Sequence, residues 1–253
     1  MIKKKLQNGE VTVGSWISLG NTAIAEIFAK SGFDWLVIDV EHSVINIEVV
    51  GDLIRTIDLC GVAPLVRLTS NNPDQIKRVM DAGAHGVVVP MVNSIDDAVN
   101  AVSATRYYPK GHRGVGLGRA QGYGARFAEY YAWQKNGPLV IVQIEHIDAL
   151  DQLEGILSVE GVDGYIIGPY DLSSSMGIPG EFENSRFVET VDHIRRVGNE
   201  LGCPSGIHIV EPDTAKLKES IDLGYRFIAY SVDIRILDSS AREALKVFKE
   251  TDL

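Results

Sequence analysis

Eight short apolar runs recur along this 253-residue chain, each parted from the next by one amphipathic stretch of helical length. They lie at 11–18, 35–39, 63–67, 86–90, 140–146, 165–168, 205–209 and 227–231. Strict polar/apolar alternation is missing from them, and glycine or proline bounds most of them. Such runs read as strands buried on both faces, the habit of parallel sheets. Parallel neighbours need long crossovers, and helices expected at about 23–31, 46–59, 73–83, 94–105, 148–158, 186–201, 214–223 and 240–249 supply them. Asn21, Asn46, Asn72 before Pro73, and Ser94 stand where N-caps belong. Doubly wound sheets rarely reach eight strands, so the expected fold is α/β, a single-domain (β/α)8 TIM barrel over residues 1–253. One segment, 106–138, is too long for an ordinary connection and is rich in Gly, Arg and Tyr.

Charge and cysteine usage exclude several classes of function. The net charge of −10 comes from 24 basic against 34 acidic residues, and the basic run Lys3-Lys4-Lys5 is short and terminal. A nucleic-acid partner therefore has little support. Cys60 and Cys203 form neither a disulfide framework nor a CxxC pair, which fits a reduced cytoplasm. No apolar run follows the basic N-terminus to make a signal peptide, and none approaches the ~18–20 residues that span a bilayer. The expectation is a soluble cytoplasmic protein with no membrane partner.

In barrels of this kind the chemistry sits at the C-terminal strand ends. Those ends carry Asp39, Glu41 and His42 after strand two and Arg67 after strand three. Strand five brings Gln143 and Glu145, strand six Asp171 and strand seven His208. Gln143 and Glu145 are two apart, so they share one face of their strand. A carboxylate leaving a doubly buried strand is costly unless it is paired or holds a cation. Glu145 or Asp171 alone would suit an ion pair, or for Asp171 a helix cap. Both together, on adjacent strands, point to a divalent-cation site. Two carboxylates leave the remaining coordination to water and substrate oxygens, which suits Mg2+ or Mn2+ better than structural zinc.

The other strand-end residues have two readings each. Arg67 either ties strand ends together or faces an anionic substrate or developing oxyanion. His42 is either a loop histidine or a proton carrier beside two acids. Gly168-Pro169-Tyr170-Asp171 is a tight turn whose amides offer a carboxylate cradle, or it is only a turn. Gly114-Val115-Gly116-Leu117-Gly118 follows no strand and lacks the dinucleotide spacing. No lysine falls within a strand, which disfavours Schiff-base chemistry.

An ordered set of motifs then resembles a known family. It comprises Gly32-Phe33-Asp34-Trp35, Asp39-Val40-Glu41-His42, Pro64-Leu65-Val66-Arg67, Asp81-Ala82-Gly83-Ala84 and Val89-Pro90-Met91-Val92. Tyr108-Pro109-Lys110-Gly111-His112-Arg113-Gly114, Gln143-Ile144-Glu145 and Gly168-Pro169-Tyr170-Asp171-Leu172-Ser173 continue it. The set runs from about Val13 to Phe248 and resembles the HpcH/HpaI aldolases, class II metal-dependent pyruvate aldolases. Any one motif is weak; the ordered set is specific.

The resemblance implies reversible retro-aldol cleavage of a 4-hydroxy-2-oxo acid, such as a 2-keto-3-deoxy sugar acid. The products would be pyruvate and an aldehyde, formed through a metal-stabilised pyruvate enolate. Glu145 and Asp171 would then be metal ligands for Mg2+, Mn2+ or Co2+, with Gln143 orienting substrate or metal-bound water. Arg67 would stabilise the enolate, and the Tyr170 and Asp171 amides would take the pyruvate carboxylate. His42 would relay protons with Asp81 as its acidic partner, and Asp39 and Glu41 would stand behind metal-bound water. Asp81, however, ends the helix after strand three, on the opposite face of its own barrel. The two would meet only across an interface, in keeping with a homo-oligomer built as a trimer of dimers, with the C-terminal helix on a neighbouring subunit.

Two positions depart from the family pattern: Tyr170, usually small, and His208, commonly aliphatic. Both are expected to border the aldehyde side of the substrate. Gly118-Arg119-Ala120-Gln121-Gly122-Tyr123-Gly124 also differs from the resembled aldolases. An acyl-CoA lyase of the same superfamily and a non-catalytic 2-oxo-acid-binding barrel are the competing readings. The first lacks a dedicated basic site, and the second gives no reason to keep Arg67 and His42 together.

Overall fold

The computed structural model describes residues 2–251. Eight parallel strands close on themselves in sequence order: β1 (Thr12–Ile17), β2 (Trp35–Asp39), β3 (Ala63–Arg67), β4 (Gly86–Val89), β5 (Leu139–Ile144), β6 (Gly164–Ile167), β7 (Ser205–Ile209) and β8 (Phe227–Val232). The chain opens with α1 (Ile2–Gln7), and α2 (Thr22–Lys30), α3 (Ile47–Leu59), α4 (Pro73–Ala82) and α5 (Ile95–Thr105) follow the first four strands. Next come α6 (Phe127–Trp133), α7 (Leu153–Leu157), α8 (Pro169–Ser175), α9 (Ser185–Glu200), α10 (Thr214–Asp222) and α11 (Asp233–Thr251). The expected (β/α)8 barrel is what forms.

The caps read from sequence do their work: Asn21, Asn46, Asn72 and Ser94 each accept a backbone N–H in the first turn of their helix. Two apolar layers result. One lies between sheet and helices and includes Leu36, Ile38, Leu53, Val66, Val87 and Ile144. The other fills the barrel with Trp16, Trp35, Val37, Leu65, Val88, Ile141, Ile166 and Phe227. Inside it the rings of Trp35 and Phe227 stack at 3.9 Å. Gly14 makes that possible, because a Cβ there would stand 2.1 Å from the Trp35 ring.

Some local expectations give way. The helix expected at 148–158 is a 3-10 turn, Ile147–Gln152, running into the short α7. The last helix starts at Asp233 rather than 240, directly after β8. Asp233 is fully buried there and accepts from the amides of Ser18 and Leu19, binding the exit of β8 to that of β1. The 106–138 segment is not wholly irregular, for it holds a 3-10 turn at Arg119–Gln121 and α6.

The basic run at the N-terminus is also more than a tail. It lies in α1, whose Leu6 is 2% exposed and packs into the barrel-filling layer. Lys3 bonds the carbonyl of Pro138, just before β5, and pairs with Asp163, just before β6. Lys5 pairs with Asp34, just before β2. The helix thus lies across the N-terminal mouth of the barrel. Among the described residues no helix is long and apolar enough to cross a membrane.

Candidate active site

Two-residue periodicity and strand register bring the strand-end residues to the opposite mouth. Asp39 and Arg67 are direct neighbours in the β2–β3 register. Arg67 donates Nε–H to Asp39 Oδ1 at 3.0 Å and a terminal N–H to Oδ2 at 2.6 Å. This fork-to-carboxylate geometry is the one guanidinium favours. Its flat face rests 4.4 Å from the centre of the Trp16 ring, which comes from β1. Asp39 Oδ1 also accepts from the amides of Glu41 and His42, so one buried carboxylate shapes the loop and aims the guanidinium. Burial raises the Asp39 pKa, but Arg67 and the two amides outweigh it and leave the group below its usual range. The observed side-chain partner of Asp39 is thus Arg67.

Glu145 is 3% exposed and fully engaged on its inner side. Oε1 accepts from the Met91 amide at 2.7 Å, and Oε2 accepts from Gln143 Nε2 at 2.6 Å. Met91 supplies that amide from φ +51°, a left-handed conformation unusual for methionine. Gly168 leaves room for the carboxylate, since a Cβ there would stand 2.5 Å from Glu145 Oε2. Burial pushes the Glu145 pKa up, with a further rise from the nearby Asp171 charge. Asp171 itself is exposed in the first turn of α8 and bonds no described side chain.

Glu41, half withdrawn from solvent, lies 3.4 Å from Arg67 Nε and 3.9 Å from His42 Nε2. Burial, opposed by Arg67 and reinforced by Glu145, Asp39 and Asp171, pushes its pKa to about 7. A cation between Glu145 and Asp171 would reverse much of that repulsion.

The donor set suits such a cation. Gln143 Oε1 is buried with no partner among the described residues, on the amide whose nitrogen bonds Glu145. A buried oxygen left unpaired beside two carboxylates is what a hard divalent ion would satisfy. Among the described residues no cluster of three His, Cys, Asp or Glu has metal-ligand spacing. The protein thus offers two carboxylates and one amide oxygen, and the rest of a coordination shell falls to other oxygens.

Arg67, His42, Gln143, Glu145, Tyr170 and Asp171 line one cavity of about 270 Å3 together with Trp16 and His208. That volume suits a small molecule rather than a polymer. His208 sits beside Trp16, ring centres 5.4 Å apart. Tyr170 is 60% exposed and meets Phe182 edge-on at 4.9 Å. His42 stands at the rim with its side chain 66% exposed.

Asp81 does not join them. Helix α4 runs from the C-terminal end of β3 back to the N-terminal end of β4, so its last turn lies at the far mouth. There the 106–138 segment covers it: a Cβ on Gly118 would meet the Asp81 carbonyl at 2.5 Å. Asp81 Oδ1 is buried without a partner among the described residues, and burial raises its pKa against the pull of Arg113 and Lys77. Sequence reasoning missed Trp16 and the Met91 amide. A tryptophan within an apolar strand reads as core, and a backbone amide leaves no signature in side-chain chemistry.

Comparison with known proteins supports the same assignment. A curated relative, the 2-keto-3-deoxy-L-rhamnonate aldolase of Escherichia coli O17:K52:H18, is 39% identical over 252 residues, 98% of this chain and 92% of that enzyme. A solved HpcH/HpaI aldolase/citrate lyase family protein from Burkholderia cenocepacia J2315 superposes with a TM-score of 0.92 at 33% identity, covering 98% of each chain. An HpcH/HpaI aldolase from Desulfitobacterium hafniense DCB-2 gives 0.89 at 30% identity, over 98% of this chain and 96% of its own. The family model for HpcH/HpaI aldolase/citrate lyase matches residues 12–239, which takes in every strand of the barrel and every residue of the cavity. With barrel, strand-end residues and relatives in agreement, the chain belongs to the HpcH/HpaI aldolase/citrate lyase family.

Proposed function

We propose that this protein is a carbon–carbon lyase that cleaves a 4-hydroxy-2-oxo acid of the 2-keto-3-deoxy sugar acid class, reversibly, into pyruvate and an aldehyde. The observation that carries this reading is a juxtaposition. An arginine aimed by Asp39 and a Glu145/Asp171 pair beside an unpaired amide oxygen open on one small cavity. The curated relatives named as aldolases for a 2-keto-3-deoxy acid support the substrate class.

Aldolases of this family depend on a divalent metal ion. Glu145, Asp171 and Gln143 Oε1 are the atoms that would hold it here, with Mg2+, Mn2+ or Co2+ as candidates. Once bound, such an ion supplies a Lewis acid for the oxygens of the 2-oxo acid.

The remaining work belongs to side chains. The C4 hydroxyl must lose its proton as the C3–C4 bond breaks, and His42 with Glu41 behind it is the group at the rim to take it. The bonding electrons pass into C3–C2 and onto the C2 oxygen, where Arg67 provides fixed positive charge. Because Asp39 already occupies one edge of the guanidinium, that charge does not have to reorganise during the reaction. The substrate carboxylate fits the amides of Tyr170 and Asp171 in the first turn of α8, which no helix carbonyl precedes. Reprotonation at C3 yields the methyl group of pyruvate. Asp81 faces no site of its own barrel, so its role requires His42 of a neighbouring copy in a homo-oligomer, a hexamer by the family pattern.

The test separates two chemistries that give identical products. Chelation is expected to abolish cleavage and Mg2+, Mn2+ or Co2+ to restore it, while borohydride added with pyruvate should leave the protein mass unchanged. A borohydride-trapped pyruvate adduct on a lysine would overturn the assignment.

A further inference from the structure

His208 shares the Trp16 ring with Arg67 inside one cavity, and its own ring is fixed in one proton state by its surroundings. It lies in β7 opposite Ala229 of β8. Its Nε2 is 3.2 Å from the carbonyl oxygen of Ser231, an atom that can only accept. The Ser231 carbonyl is held in turn: Ser231 is fully buried at φ +55°, and its oxygen also takes a bond from Ser15 Oγ at 3.3 Å. Nε2 must therefore carry the hydrogen. Burial pushes the His208 pKa down to about 4, with Arg67 lowering it further and the Ser231 bond opposing, so the ring is neutral near pH 7. A neutral imidazole with its proton on Nε2 has a bare lone pair on Nδ1. That nitrogen bonds no described residue, and His208 lines the active-site cavity.

We propose that His208 is a specificity-determining residue that accepts a hydrogen bond at Nδ1 from a hydroxyl on the aldehyde-derived half of the substrate. The inference rests on the lyase reading above and deepens it, because the pyruvate half of such a substrate carries no hydroxyl and the donor must come from the aldehyde half. The alternatives fit worse. A carbonyl, ether or carboxylate oxygen brings no proton and would face a lone pair, and an alkyl chain would cover the nitrogen without satisfying it. Trp16 closes one side of the imidazole, so the ring cannot swing away to find another partner without losing that packing. A hydroxyl satisfies both the nitrogen and the requirement that the substrate's own polar groups not be stripped of water unpaired.

The test compares aldol addition of pyruvate to glycolaldehyde and to acetaldehyde, which differ by one hydroxyl. The readout is the ratio of the two kcat/KM values within a single preparation, which the fraction of folded protein cannot change. Wild type is expected to favour glycolaldehyde, and His208→Leu to lower the ratio by about 10- to 100-fold, the usual effect of one unmet polar contact. Two further variants separate the nitrogens. His208→Asn puts an acceptor near the Nδ1 position and abandons Ser231, so it should keep much of the preference. His208→Gln reaches the Ser231 carbonyl without an acceptor at Nδ1, so it should behave like His208→Leu. The opposite order, with Gln preserving the ratio and Asn losing it, would assign His208 to holding β8 and overturn the proposal. So would an unchanged ratio in His208→Leu. Wild type that joins pyruvate to neither aldehyde would instead remove the lyase reading itself.

Discussion

Arg67 and Asp39 stand side by side in the register of adjacent strands and meet through two parallel hydrogen bonds, 3.0 and 2.6 Å long. The pairing gives a buried carboxylate a partner and an arginine a fixed heading at once. Neither residue is well explained without the other. An isolated Asp39 would be an unpaired charge at 5% exposure, and an isolated Arg67 would lose the edge contact that orients its fork.

The pair makes a prediction that does not depend on the aldehyde. With metal present, the enzyme should exchange the methyl protons of pyruvate with D2O, followed by proton NMR. Arg67→Lys keeps the charge but not the planar fork, and exchange should fall about 10²–10³-fold, the typical cost of losing one oxyanion contact. Asp39→Asn should also slow exchange, because it releases the guanidinium. Wild-type rates in both variants would detach this pair from the chemistry.

The remoteness of Asp81 from His42 within one barrel predicts complementation. Inactive His42→Ala and inactive Asp81→Ala subunits, unfolded and refolded together, should regain part of the wild-type activity. Some interfaces in the mixture carry both native residues. Verified mixed oligomers that stay inactive would argue against a shared site.

At the far mouth, Asp58 accepts from Arg119 at 2.6 Å and lies 3.2 Å from His85. The His85 bond first, then Arg119 against the opposing effect of burial, holds its pKa down to about 2. The unfolded value is about 3.9. The folded state therefore binds this proton less readily, and the stabilisation is full above about pH 4 and fades as pH falls toward 2. Asp58→Asn should lower Tm at pH 7, with the gap to wild type closing in the acid range. A gap that widens on acidification would contradict the ion-pair account.

Helix α1 should matter to stability out of proportion to its six residues. Leu6→Ala removes a side chain that is 2% exposed, and about 2–5 kcal/mol of unfolding free energy should go with it in a urea titration. Lys3→Ala should add a separate loss, since Asp163 would keep the Val140 amide and the unbonded charge of Arg106 but lose its ion-pair partner. Equal urea midpoints for Leu6→Ala and wild type would show that the helix is an ornament on the barrel.

Much of this molecule was legible before any coordinates, for physical reasons. Strands buried on both faces need unbroken apolar runs, and eight such runs between capped helices leave few ways to close a sheet. The same logic placed Glu145, Asp171 and Arg67 at one mouth, because strand ends in such a barrel share a face. What escaped was information carried by closure itself. Trp16 packs under Arg67 from two strands away because the sheet curves and brings inward side chains of β1 and β3 together. Met91 serves Glu145 through an amide whose left-handed backbone no residue type announces. Asp39 shows a third limit: its carboxylate could be seen, but its partner could not be chosen until register fixed Arg67 next to it.

A tube stopped at one end is a blind alley. With the barrel filled by the Trp35 and Phe227 layer and α1 across its N-terminal mouth, everything that reaches Glu145 and Arg67 must pass the exposed rim of His42 and Tyr170, and must leave the same way. Traffic in such a space is last in, first out. The 2-oxo acid half, seated among the buried groups, has to arrive before the aldehyde in synthesis and depart after it in cleavage.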